Sequence, residues 1–134
     1  MKNLTQEQKD KAMENKERFK GIVKKIAQLS QEQRNELALK MPLINPEGHH
    51  LSIFNTCLIY HQSNGYVPTV VGGFKQWLKQ GRAVKRGEHS FMIWFPRFQD
   101  HKEEPTEEEI KEEKVTFLIG HVFDISQTIE IQTS

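Results

Sequence analysis

The spacing of the apolar residues changes once along this chain, and that change constrains the fold more than any other feature. Up to Leu78 apolar side chains recur every three or four residues: Phe19, Ile22, Val23 and Ile26, then Leu37 and Met41, then Phe54, Cys57 and Leu58 with His61 beside them, then Phe74, Trp77 and Leu78. That interval gathers them along one side of a helix. After Gly81 the interval falls to two. Phe91, Ile93 and Phe95 alternate with Met92 and Trp94, and Val115, Phe117, Ile119, His121 and Phe123 alternate in the same way, as strand residues do. N-terminal helices followed by a small antiparallel sheet are the α+β layout this order predicts, rather than repeated strand–helix–strand units.

Polar residues at the ends of these stretches mark the boundaries. Thr5 with Gln8 and Ser30 with Gln33 have the capping-box spacing, and Ser52 is placed to cap a third helix. Pro42 ends the second helix, the Pro, Asn and Gly residues between Pro42 and His50 indicate a loop, Asn64-Gly65 stops the third helix, and a short fourth helix is expected from Gly72-Gly73 to Gly81. Ala83 to Lys85, with Arg86-Gly87 as the turn, are expected to pair with the Phe91 strand as a hairpin. Residues 1–42 therefore read as an N-terminal helical region and residues 43–134 as the main domain, the whole forming one compact unit around one core.

Net charge is only +1, but the mean hides a split. Between residues 99 and 113 eight acids face two lysines, a balance of −6, which leaves +7 on the rest of the chain. A basic surface is thus expected despite the neutral total. Within the acidic stretch Thr106 and Glu109 have capping-box spacing, which suits either a solvated helical turn or a disordered loop.

Several kinds of chemistry find no residues to perform them. The single Cys57 cannot form an internal disulfide, no export leader opens the chain, and no run approaches the ~20 apolar residues that cross a bilayer, so a soluble cytoplasmic protein is expected. The six histidines have no metal-ligand spacing. Cys57 and His61, one helical turn apart, lie in an apolar pattern that favours packing over nucleophilic catalysis. No phosphate loop or dinucleotide fingerprint occurs. No catalytic residue, no metal and no cofactor are expected, and a binding protein is expected rather than an enzyme.

One stretch combines aromatic rings with cations: Phe74, Lys75, Trp77, Lys79, Arg82, Lys85, Arg86, Trp94 and Arg97. Single-stranded nucleic acid requires both, cations for phosphates and flat faces for unstacked bases. On composition alone the simpler reading, core aromatics beneath ordinary surface charge, is favoured, and Trp77 in particular is expected in the core. Arg82 directly follows the helix stop, and Lys85-Arg86-Gly87-Glu88 forms a tight basic turn suited to phosphates. Asn55 and Gln62 are polar positions on an apolar helix, able to bond backbone or nucleotide. Asp124, Ser126 and Gln127 either cap the turn after the last strand or reach DNA.

Four ordered blocks carry a family resemblance: LSIFNTCLIYHQ at 51–62, GGFKQWLKQGRAVKRGE at 72–88, FMIWFP at 91–96 and HVFDISQT at 121–128. Together, across about residues 50–130, they resemble the N-terminal domain of ArdC-like antirestriction proteins, a module also similar to one in plasmid primases. The resemblance implies an α+β domain that binds single-stranded DNA with little sequence preference and serves conjugation or the establishment of plasmids and phages. Together with the residue readings above, the expected DNA contact set is Asn55, Gln62, Lys75, Lys79, Arg82, Lys85, Arg86, Trp94, Arg97 and Gln127. The competing reading is a protein-interaction module that inhibits or recruits a host enzyme, its acidic segment imitating DNA. In ArdC-like proteins a zinc-protease-like half follows this module. None follows here, so the chain is either a free-standing version or a fragment whose C-terminal domain is missing.

Overall fold

The computed structural model describes residues 5–95 and 118–131, and its elements follow the expected order with two additions. Helices α1 (Gln6–Ala27), α2 (Gln31–Lys40) and α3 (Ile53–Gln62) come first, then strand β1 (Val71–Gly72), helix α4 (Phe74–Lys79), and strands β2 (Arg82–Val84), β3 (Phe91–Phe95), β4 (Leu118–Asp124) and β5 (Thr128–Glu130). A single 3-10 turn, Ile125–Gln127, joins β4 to β5. The fold is α+β. No described helix is long and apolar enough to cross a membrane.

The helix starts form as the spacing predicts. Thr5 Oγ1 accepts from Gln8 N while Gln8 Oε1 accepts from Thr5 N, and Ser30 and Gln33 make the same reciprocal pair. Ser52 caps α3 by accepting from Asn55 N. Each cap satisfies backbone donors that a helix end otherwise leaves bare, a contribution of about 1 kcal/mol. The far end of α1 is tied down from α2, where the Arg34 guanidinium donates to the carbonyls of Ile26 and Ala27.

Helix α3 is the organising element, since α1, α2 and β3 all pack on it. Phe54, Cys57 and Leu58 join Phe19, Val23, Ile26 and Ala27 of α1 and Met92 and Trp94 of β3 in one buried cluster. Ile59 enters a second, with Met41, Leu43, Val71, Phe91 and Val122. Strand β3 therefore buries side chains on both faces, which explains why Phe91 and Met92, though adjacent, are both apolar. Phe19 and Ile26 are fully buried, and each stabilises the helix contact by about 1.5–3 kcal/mol. Cys57 is buried within this packing, and its thiol donates to Arg34 O at 3.6 Å.

The sheet departs from expectation in one respect. Strand β3 pairs antiparallel with β4, and β4 with β1, giving the order β1-β4-β3. Strand β2 does not form a hairpin with β3. It pairs instead with β5 in a separate ribbon, Arg82 opposite Glu130, Ala83 opposite Ile129 and Val84 opposite Thr128. The turn at Arg86-Gly87 is real, with Gly87 at a positive φ of 86°, but it redirects the chain instead of folding one strand on the other. Gly72 is needed for a different reason: a Cβ there would meet Pro46 Cγ at 2.6 Å and Trp77 Cε2 at 3.3 Å, so β1 can approach α4 and the preceding loop only without a side chain.

Candidate nucleic-acid interface

Four of the polar residues expected to reach DNA are occupied inside the fold. Strand β3 passes close to α3, and the Asn55 side chain both accepts from Trp94 N (2.8 Å) and donates to Trp94 O (3.2 Å). Gln62, two turns on, does the same for Met92, accepting from its N at 2.8 Å and donating to its O at 2.7 Å. These two amides thus act as surrogate strand for the edge of β3 that faces away from β4. Gln127 accepts from Asp124 N and donates to His89 O, capping the 3-10 turn and tying it to the loop before β3. Arg82 donates through Nε to Thr128 Oγ1 at 2.7 Å and pairs with Glu130 at 3.6 Å, so its guanidinium locks the β2-β5 ribbon.

The aromatic residues also divide. Trp94 is 7% exposed in the core, which removes its face from any stacking role in this conformation, and its Nε1 has no partner among the described residues. Trp77 is 2% exposed and donates from Nε1 to Phe123 O, anchoring α4 to β4. Phe74 and Leu78, expected beside Trp77 on the apolar side, are instead 54% and 43% exposed. A helix of six residues buries only the side that touches the sheet, and Trp77 fills it.

What remains outside is a basic surface. Phe74, Lys75 and Lys79 lie exposed on α4, and Lys85 and Arg86 lie exposed in the turn after β2. Lys85 Nζ donates to Ser126 O at 3.0 Å, which fixes the turn and leaves the ammonium its other donors. Arg97 and the acidic stretch at 99–113 fall outside the described residues.

Behind the turn lies a polar cluster that sequence reasoning left undecided. Asp124, 2% exposed, accepts from Thr69 N at 2.7 Å, Ser126 N at 3.0 Å and Tyr66 Oη at 2.5 Å, and Tyr66 Oη also bonds Ser126 Oγ. Burial alone would push the Asp124 carboxyl up, but the hydrogen bonds from Ser126, Tyr66 and Thr69 outweigh it and hold the group below its ordinary value. The Tyr66 hydroxyl is pushed up, by burial first and then by the bond to Asp124 and the charges of Asp124 and Glu88. The missed partner was Tyr66, which stands 58 positions from Asp124 with no local pattern joining them. Among the described residues no three of His, Cys, Asp and Glu gather as a metal-holding group.

No curated protein matches the chain. Its structure is similar to two crystal structures of the antirestriction ArdC protein from plasmid R388. One, Mn(II)-bound, has 19% identity and a TM-score of 0.47 over 76% of this chain and 40% of that one. The other, metal-free, has 16% identity and a TM-score of 0.44 over 78% and 43%. The chain thus spans less than half the length of the ArdC chains it matches. The family model for the N-terminal domain of anti-restriction factor ArdC matches residues 5–123, a span that begins with the cap of α1 and takes in the helical region, and the chain belongs to that family.

Proposed function

We propose that this chain is a binding module, not an enzyme, that holds single-stranded DNA with little sequence preference in the service of antirestriction or the establishment of mobile elements. The observation that carries the reading is the sorting of the basic and aromatic residues of 72–88. Arg82 is taken into the fold and Trp77 into the core, while Phe74, Lys75, Lys79 and Arg86 stand exposed on α4 and the following turn. An exposed ring among exposed cations suits an unstacked base and its phosphates, whereas duplex readout calls for a longer element in the major groove than this six-residue helix.

Fluorescence anisotropy with a labelled single strand, titrated at low and high salt and against an equal concentration of duplex, tests the proposal. Salt-sensitive binding that duplex fails to displace is expected. No binding, or displacement by duplex as effective as by single strand, overturns it. Adding divalent metal to the same oligonucleotide separates binding from cleavage.

One observation favours a second reading, a protein-docking module: Phe74 and Leu78 on α4 and Ile129 and Ile131 on and after β5 are large apolar residues at least 41% exposed, and α4 packs beside the β2-β5 ribbon. In that reading the anisotropy experiment shows no binding.

A further inference from the structure

A groove of about 300 Å³ lies where α3 ends, at the small end of the range that ligand sites occupy. Its lining includes Met41, Tyr60, His61, Asn64, Tyr66 and Val67, with no acidic side chain. Asn64 and Gly65, at positive φ of 49° and 84°, turn the chain back after α3, so that Tyr66, six residues after Tyr60, returns to the same groove. The Tyr66 N–H donates to Ser63 O and Ser63 Oγ donates to Tyr60 O, closing the turn.

The two tyrosines differ from ordinary surface aromatics. Tyr66 is 40% exposed, yet its ring lies parallel to Phe91 within 6°, centroids 6.4 Å apart, and its hydroxyl is fastened to Asp124 and Ser126. It is a half-exposed ring with almost no freedom to lose on binding. Tyr60 is 39% exposed and meets His61 edge to face. Burial, then the charge of Lys25, lowers the His61 pKa, which keeps the imidazole neutral and able to accept as well as donate a hydrogen bond. Cations stand on both sides. Lys25 acts on His61 from α1, and Lys85 holds Ser126, whose hydroxyl bonds Tyr66.

We infer that this groove is a nucleobase subsite, in which one unstacked base of a single strand lies against Tyr60 and Tyr66 while its neighbouring phosphates meet Lys25 and the Lys85-Arg86 turn. The inference rests on the single-strand reading above and adds a second place of contact, joined to the basic turn through Ser126. Rings, polar edge groups and flanking cations are together what a nucleotide requires, and the carboxylate nearest the rings, Asp124, lies outside the lining, buried and engaged by Tyr66, Thr69 and Ser126. The site commits to a base and not to an apolar peptide because its rigid face is a ring flanked by cations.

Photo-crosslinking of the intact chain to a short oligo-thymidine carrying iodouracil, with peptide mapping, tests the placement directly, and anisotropy measures its weight. Crosslinks are expected on Tyr60, His61 or Tyr66. Tyr60→Leu, at an exposed position, should melt like the wild type and lose about 5- to 150-fold in affinity with the salt slope unchanged, while Tyr60→Phe, which keeps the ring, should bind like the wild type. If the wild type binds single strands but crosslinks lie only elsewhere, or Tyr60→Leu binds as tightly, the groove assignment falls and the proposed function stands. If the wild type binds no single strand, both fall.

Discussion

Along the seam between α3 and β3, Asn55 and Gln62 give their amides to the backbone of Trp94 and Met92, whereas on α4 and the turn after β2 the side chains of Lys75, Lys79 and Arg86 stand exposed. Both regions belong to the blocks that carry the family resemblance, and both were expected to touch DNA. The difference lies in what surrounds them. A polar group inside an otherwise apolar helix face is carried into the interior, where it must find a partner or cost the fold ~1–3 kcal/mol. A cation on the outer side of a short helix meets no such demand. One region holds the domain together, and the other is open to a ligand.

The largest effect that could break this division comes from beneath the open region. Trp77→Ala removes the buried indole and its bond to Phe123 O and is expected to cost roughly 3–5 kcal/mol in urea denaturation, with binding lost only through unfolding. A folded Trp77→Ala protein with weakened binding would place this ring on the ligand side instead. Next come the seam amides. Asn55→Ala or Gln62→Ala leaves a β3 N–H and C=O without their partners and should each lower stability by about 1–3 kcal/mol, while the folded fraction keeps its affinity for single strands. Denaturation curves together with binding at a temperature where the variant is folded measure both.

Smaller, and sharper in its signature, is the pH dependence of Asp124. Its carboxyl is held below the ordinary value of 3.8, so the unfolded chain takes up its proton more readily than the folded one. The stabilisation is complete above that unfolded value and is lost as pH falls through the lower folded one. Asp124→Asn should therefore melt below the wild type at neutral pH, and the gap should narrow as the pH falls below about 4. A gap constant across the acid range would mean that shape rather than charge holds Tyr66, Thr69 and Ser126.

Legibility in the sequence followed the range of the interaction. The caps at Thr5, Ser30 and Ser52 are bonds between residues three apart, and local spacing alone marks them. The core of α1 and α3 was equally plain, because an apolar side every third or fourth residue can face only one way. The pairing of β2 with β5 was not, since it joins residues 46 apart, as at Ala83 and Ile129, and Arg86-Gly87 supplied a nearer and misleading turn. Trp94 belongs to the run of rings and cations that suits a single strand, but β3 is covered on both sides and its indole is buried, which the local run does not reveal. The opposite error befell Phe74 and Leu78, whose helical spacing promised burial beside Trp77 that a six-residue helix does not provide. For Asn55, Gln62 and Gln127 the side chain could serve backbone or nucleotide equally well, and only the approach of β3 and of the 3-10 turn decides it.

The central claim, that the exposed cations of α4 and its following turn are what single-stranded DNA meets, is tested most directly by the triple variant Lys75→Ala, Lys79→Ala, Arg86→Ala. All three positions are exposed, so the stability measured in urea should stay within the ~0.5 kcal/mol typical of surface substitutions. If each cation neutralises one phosphate, the slope of log affinity against log salt should become shallower by about 0.7 per lost contact, or roughly 2 in all, with the affinity loss greatest at low salt. A triple variant that is folded, binds single strands as tightly as the wild type and keeps the wild-type salt slope would contradict the account.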